Sequence, residues 1–173
     1  MKSIVELSHA FLKPALHRQA HCIDATLGRG KDSQFFLDEG VRKVYAFEIQ
    51  ESVCIETKEK INDSRLEIFL MSHEQLDCIQ QEIDAIIFNF GYCPNGNSAI
   101  TTQACSSLIA VKKALVQLKR KGRMALIFYP HETGIEEAKE IENYLKNLDS
   151  SYDLIEIKKW NPQSPYLIGI EKK

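Results

Sequence analysis

The chain has 173 residues, of which 44% are apolar and 27% charged, with a formal net charge of -2. That is enough chain for one domain with its own core and too apolar for a disordered one. The near-neutral balance excludes nucleic-acid binding through bulk charge. Any RNA contact must come from local patches, either Lys112, Lys113, Lys119, Arg120, Lys121 and Arg123, or Lys158 and Lys159. The same runs also read as solvated surface. No apolar stretch approaches the roughly 20 residues that span a bilayer. The opening Met1-Lys2-Ser3-Ile4-Val5-Glu6 lacks signal-peptide character. The five cysteines are odd in number, widely spaced and free of CxxC pairs. The expectation is a cytoplasmic protein with reduced thiols, no membrane association and no metal.

In chain order, Ser3 to His17 reads as a helix that Pro14 ends or kinks. His21 to Ala25 is a short apolar strand leading into Thr26-Leu27-Gly28-Arg29-Gly30. A helix follows from Lys31 to Glu39, with Gly40 as its stop. Lys43–Phe47, Leu66–Leu70 and Ile83–Phe88 read as strands, and Glu51–Ile61 as a polar helix between the first two. Thr101 to Lys119 has helical periodicity in Leu108, Val111, Leu115 and Leu118. Arg123–Tyr129 is a strand and Ile135–Leu148 a helix. Tyr152–Lys158 and Tyr166–Glu171 are strands joined by a turn-rich segment, Trp160-Asn161-Pro162-Gln163-Ser164-Pro165. Alternating strands and helices predict a doubly wound parallel sheet. Two consecutive strands at the end must pair antiparallel. The expected fold is therefore Rossmann-like, of the class I methyltransferase type. It has a seven-stranded, mostly parallel sheet, an antiparallel terminal hairpin and helices on both faces, in one domain over residues 1–173.

Ligands of such sheets bind beyond the C-terminal strand ends. The first of these is Asp24-Ala25-Thr26-Leu27-Gly28-Arg29-Gly30-Lys31-Asp32. Its glycines allow close backbone approach. Asp24, with Asp32 as a second candidate, is suited to attract the cationic amino-acid end of S-adenosylmethionine (SAM). Ser33 stands where the third glycine of a dinucleotide fingerprint belongs, which counts against an NAD-dependent oxidoreductase. Glu48, at the second strand end, is suited to ribose hydroxyls of a nucleoside ligand. Ser72 and His73, after the third strand, fall near the expected adenine.

The fourth strand runs into Phe88-Asn89-Phe90-Gly91-Tyr92-Cys93-Pro94-Asn95-Gly96. This strand end faces the methyl group in the expected fold. An Asn side-chain oxygen and a backbone carbonyl there can accept N–H bonds from an amine and aim its lone pair. An aromatic ring beside them can stack on a base.

At this point the residues carry a resemblance. The order Asp24-Ala25-Thr26-x-Gly28-x-Gly30-x-Asp32, Ala46-Phe47-Glu48-Ile49-Gln50, Phe88-Asn89-x-Gly91-Tyr92-x-Pro94-x-Gly96, Thr101-Thr102, Tyr129-x-His131 and Pro165-Tyr166-Leu167-Ile168-Gly169-Ile170-Glu171 resembles a bacterial family first labelled rRNA methylases. Its members are understood as tRNA 5-aminomethyl-2-thiouridine methyltransferases. The chain departs from that family's usual residues at Arg29, Lys31, Glu48, Phe90 and Cys93, and is shorter around Pro130–Glu132. The resemblance implies SAM as cofactor and S-adenosylhomocysteine (SAH) as product. With the fold reading, it implies a cofactor site of Asp24, Thr26, Gly28, Gly30, Asp32, Glu48, Gln50, Ser72, His73 and Asn89. The implied reaction site is Asn89, Gly91 and Tyr92, with His131 as an alternative base. The implied partner is the tRNA anticodon stem-loop, with a homodimer left open. Methylation of rRNA or another substrate, an NAD-dependent oxidoreductase and a non-catalytic RNA-binding module are the competing readings.

Overall fold

The computed structural model describes residues 1–91, 104–130 and 132–173. Seven strands form one sheet in the order β3-β2-β1-β4-β5-β7-β6. These are β1 (His21–Asp24), β2 (Lys43–Glu48), β3 (Leu66–Leu70), β4 (Ile83–Phe90), β5 (Leu118–Phe128), β6 (Tyr152–Ile157) and β7 (Tyr166–Lys172). The helices are α1 (Ile4–Leu12), α2 (Lys31–Asp38), α3 (Glu51–Lys60), α4 (Ala104–Gln117) and α5 (Glu132–Leu145). The pairings β1–β2, β1–β4, β2–β3 and β4–β5 are parallel, and β5–β7 and β6–β7 are antiparallel. This is the mostly parallel sheet with a terminal hairpin that the alternation predicts.

The central strands are apolar on both faces because helices cover both. On β4, Ala85 and Ile87 join a cluster with Leu12, Phe36 and Ile127, while Ile86 and Phe88 join one with Val111, Leu115 and Ile141. The first cluster is closed by α1 and α2, the second by α4 and α5. Helix α1 begins with a capping box: Glu6 N donates to Ser3 Oγ and Ser3 N donates to Glu6 Oε2. It stops short of the predicted end because Pro14 turns the chain into a 3-10 turn at Lys13–Ala15. It then packs tightly on β7, where a Cβ on Gly169 would come within 2.8 Å of the Phe11 ring.

Two local departures from the sequence reading have physical causes. The regular β4–β5 ladder starts at Ala85↔Arg123, as expected, but Leu118 also pairs with Ile83. The residues between bulge outward, with Lys121 at φ 65. β4 also runs two residues past the predicted end, because Asn89 and Phe90 pair with Ile127 and Phe128. A short 3-10 segment, His73–Cys78, was not foreseen in the sequence.

The bulge brings Lys119 to Asp84 at the sheet end opposite the strand C-termini. Asp84 is buried. It accepts from His21 N at 2.8 Å and from Lys119 Nζ at 3.0 Å, with His17 Nε2 at 3.3 Å. Removing the carboxylate strands a buried N–H and an ammonium. Asp84→Ala should therefore cost about 2–4 kcal/mol in chemical denaturation. Cofactor affinity in the folded fraction should stay at the wild-type value. A loss below 1 kcal/mol would show that the cluster is not structural.

Candidate active site

The C-terminal ends of β1 and β4 meet at the point where strand order reverses, since β1 lies between β2 and β4. Asp24 closes β1 and is fully buried. Its carboxylate accepts from Thr26 N at 3.2 Å and from Ser33 Oγ at 2.7 Å. Thr26 in turn accepts from Asn89 N at 2.8 Å through its hydroxyl. One short chain of bonds thus ties β1, the glycine loop, α2 and β4 together. Ser33, which breaks the dinucleotide fingerprint, is the residue that anchors α2 to Asp24.

The two loop glycines are required for different reasons. Gly28 has φ 47 and Gly30 φ 72. A Cβ on Gly30 would also lie 2.6 Å from Ile61 Cδ1 and 2.7 Å from Thr57 Cγ2. The loop is drawn onto α3 by Thr57, whose hydroxyl donates to Gly28 O at 2.8 Å. Glu48 ends β2 facing this loop. Its Oε1 accepts from Ile49 N and Gln50 N at 2.9 and 3.0 Å, and its Oε2 from Gly28 N at 3.2 Å. A carboxylate has about four acceptor sites, so one remains for a ligand hydroxyl. Gln50 caps α3. Ser72 caps the 3-10 segment, accepting from Glu74 N. His73 is buried, its Nδ1 3.2 Å from Ala25 O. Donation to that carbonyl fixes the tautomer and leaves Nε2 as an acceptor, buried and without a partner. Burial pushes the imidazole down to about 4, so it stays neutral. It can hold a ligand N–H but cannot act as a base near pH 7.

Asp32, on the first turn of α2, is also buried. Its Oδ1 lies 2.6 Å from His9 Nε2, and its Oδ2 accepts from Asn89 Nδ2 at 3.3 Å. A carboxylate paired in this way accepts and does not donate. It therefore fixes the Asn89 amide with its NH2 toward Asp32 and its oxygen turned away. The Tyr129 hydroxyl, at the end of β5, shares a hydrogen bond with the same amide. Gly91 follows against the Tyr129 ring, where a Cβ would lie at 3.4 Å.

His9 was missed in the sequence. It stacks on Phe35 at 3.9 Å with an interplanar angle of 2°. The available signal was its place on α1, one residue from the buried stripe of Ile4, Ser8 and Leu12. Asn89, Gly91, Asp24, Thr26, Gly28, Gly30, Asp32, Glu48, Gln50, Ser72 and His73 thus all lie at C-terminal strand ends or the turns that follow them. Tyr92, Cys93 and His131 lie outside the described residues. Among the described residues, no three His, Cys, Asp or Glu side chains gather as a metal site would require. No helix among them is long and apolar enough to cross a membrane.

The basic run that closes on β5 falls elsewhere. Lys119 and Lys121 sit at the opposite sheet end, paired with Asp84 and Glu171. Arg123 pairs with Glu171 and Lys113 with Asp77. Lys112 lies over the Tyr144 ring. The Lys119–Lys121 run points away from the strand ends that gather the site.

Residues 44–171 match the family described as "putative rRNA methylase". The chain belongs to that family. It is a SAM-dependent methyltransferase of the class I fold. A structure from Clostridium thermocellum described as a "putative rRNA-methylase" superimposes with a TM-score of 0.93 at 27% identity, covering 100% of this chain and 99% of that one. A methyltransferase from Streptococcus mutans, solved in complex with SAH, gives 0.92 at 35% identity, with the same coverage. A chloroplastic tRNA (mnm5s2U34)-methyltransferase of Arabidopsis thaliana is 28% identical. The match covers 87% of this chain and 61% of that protein, so the chain spans about three-fifths of the plant relative's length.

Burial is the main reason Asp24 is raised, to about 7, and the charge of Asp32 adds to it. An unfolded Asp titrates near 3.9. Between about pH 4 and 7 the ligand-free folded state thus holds a proton that the unfolded chain has lost. The stability from this group is complete below about pH 4 and disappears as pH rises through about 7. Melting temperature should fall across that window, and Asp24→Asn should flatten the fall. Parallel curves for the two proteins would contradict this assignment.

Proposed function

We propose that the chain N-methylates the primary amine of a 5-aminomethyl group on the wobble uridine of tRNA, giving 5-methylaminomethyl-uridine. The observation that carries this reading is the fixed orientation of Asn89. Its amide oxygen is turned away from Asp32 at the strand end where the methyl group is expected. The family membership and the Arabidopsis relative's tRNA (mnm5s2U34) activity support the same reading.

The residues present fit SAM. Gly28 and Gly30 leave the backbone open to close approach. Glu48 keeps an acceptor site for a ribose hydroxyl. His73 Nε2 is a buried acceptor in need of an N–H, which an adenine amino group would supply. Asp24 and Asp32 form a buried carboxyl pair, with His9 Nε2 2.6 Å from Asp32 Oδ1, and a cationic methionine moiety would relieve the repulsion between them. When bound, SAM supplies an electrophilic methyl on a sulfonium.

The chain's own work is then positioning and exclusion of water. An alkylammonium titrates near 10, so the substrate must lose a proton to solvent before it can attack. Asn89 Oδ1 accepts one N–H of the neutral amine and leaves the lone pair free toward the methyl. A new N–C bond forms as the S–C bond breaks, and the resulting secondary ammonium returns a proton to solvent. Asp32 and Tyr129 hold the Asn89 amide during this step. His131 is the alternative acceptor for the departing proton in place of solvent.

Asn89→Ala should lower kcat on aminomethyl-uridine tRNA by about 100-fold, while SAM affinity changes by no more than a few-fold. Nucleoside mass spectrometry of the reacted tRNA reads the product. Activity within twofold of wild type in the folded variant would remove Asn89 from the reaction. Methyl transfer to rRNA, with aminomethyl-uridine tRNA untouched, would instead favour the literal family description.

A further inference from the structure

The chain's one tryptophan, Trp160, is fully exposed. It lies in the β6–β7 turn, and the register fixes which end of the sheet that turn occupies. Tyr166, the first residue of β7, pairs with Phe128 at the C-terminal end of β5, and Ile157 pairs with Leu167. The turn therefore projects from the same sheet end as Asn89. From β4 to β6 there are three strand steps, or about 15 Å laterally at 4.7–4.9 Å per step.

This turn is built to hold its shape. Asn161 Oδ1 accepts from Gln163 N at 3.0 Å and Asn161 O from Ser164 N at 2.9 Å, with Pro162 and Pro165 stiffening the same segment. Two lysines precede the tryptophan. Lys158 reaches Glu156 at 2.6 Å and sits 4.5 Å above the Tyr166 ring. Lys159 is exposed and makes no ion pair among the described residues.

We propose that Trp160 is a base-stacking platform for the substrate RNA, with Lys159 and Lys158 on the adjoining phosphates. This deepens the tRNA reading above and rests on it. Proteins that hold unpaired nucleotides combine an aromatic face, on which any base can stack, with cations that follow the backbone. The β6–β7 turn offers both at the reactive end of the sheet. Its separation from Asn89 lets it hold a neighbouring part of the anticodon loop while the wobble nucleotide reaches the site. The basic residues Lys119, Lys121 and Arg123 lie at the far end of the sheet, away from the site, and pair with the buried or half-buried carboxylates Asp84 and Glu171. A second copy of this chain is the rival occupant, because Leu154 and Ile155 on the edge strand are also exposed.

As the single tryptophan, Trp160 reports on its own contacts. Titration with an anticodon stem-loop RNA should quench its fluorescence to saturation, and SAH alone should leave it unchanged. Trp160→Ala should raise the KM for aminomethyl-uridine tRNA by roughly five- to a hundredfold, with kcat and SAH affinity within twofold and partial recovery in Trp160→Phe. Lys159→Gln should make the salt dependence of RNA binding shallower by about 0.7 in log–log slope. An unchanged KM in Trp160→Ala, with wild type still methylating the tRNA, would overturn the platform and leave the tRNA reading standing. Absence of methyl transfer to the tRNA by wild type would overturn both. Emission that shifts with protein concentration, in step with dimer formation and regardless of RNA, would assign the turn to a second copy.

Discussion

The interaction on which the site depends is the burial of the Asp24 carboxylate where β1 and β4 separate. An ionised group taken out of water is costly unless donors surround it. The donors to Asp24 are Thr26 N, Ser33 Oγ and Ser33 N, and they belong to the glycine loop and to α2. The same Thr26 receives Asn89 N from β4. Satisfying one buried carboxyl group thus sets the loop path, the start of α2 and the lateral position of the strand that carries Asn89. Asp32 and His9 extend the arrangement to α1, which has no role in the sheet ladder.

A second continuity lies on the opposite face. Phe88, Phe90, Phe128 and Tyr166 stack in sequence with centroids 5.3, 5.1 and 5.2 Å apart, and Lys158 caps the Tyr166 ring. Offset aromatic pairs at these spacings add stabilisation beyond their buried area. The ladder crosses from β4 through β5 to β7. It links the strand bearing Asn89 rigidly to the turn bearing Trp160. The β4 strand end and the β6–β7 turn are thereby mounted on one packed layer.

Much of this was legible in the residues. That Asp24, Gly28, Gly30 and Glu48 come together at one edge was legible from strand ends followed by glycine or acidic residues, because a doubly wound sheet gathers such ends there. Asn89 was legible for the same reason, although it proved to be part of β4 and not of a loop. That difference matters, since ladder bonds hold its backbone. His9 was not legible as a site residue: it meets Asp32 only because α1 folds across α2, and no periodicity records a contact between residues so far apart. The Lys119–Lys121 run was legible as charge but not as to which sheet end it occupies. A bulge and a buried Asp84 decided that. Trp160 read as a turn residue, and its place at the reactive edge follows only from the β5–β7–β6 register.

We place the cationic end of the cofactor against the buried Asp24–Asp32 pair. Calorimetric titration of SAM near pH 6.5, in two buffers of different ionisation enthalpy, counts the protons exchanged on binding. A cation beside Asp24 lowers its pKa, so wild type should release a fraction of a proton, and Asp24→Asn should release none. Binding with no buffer dependence in wild type, or the same release from Asp24→Asn, would contradict it.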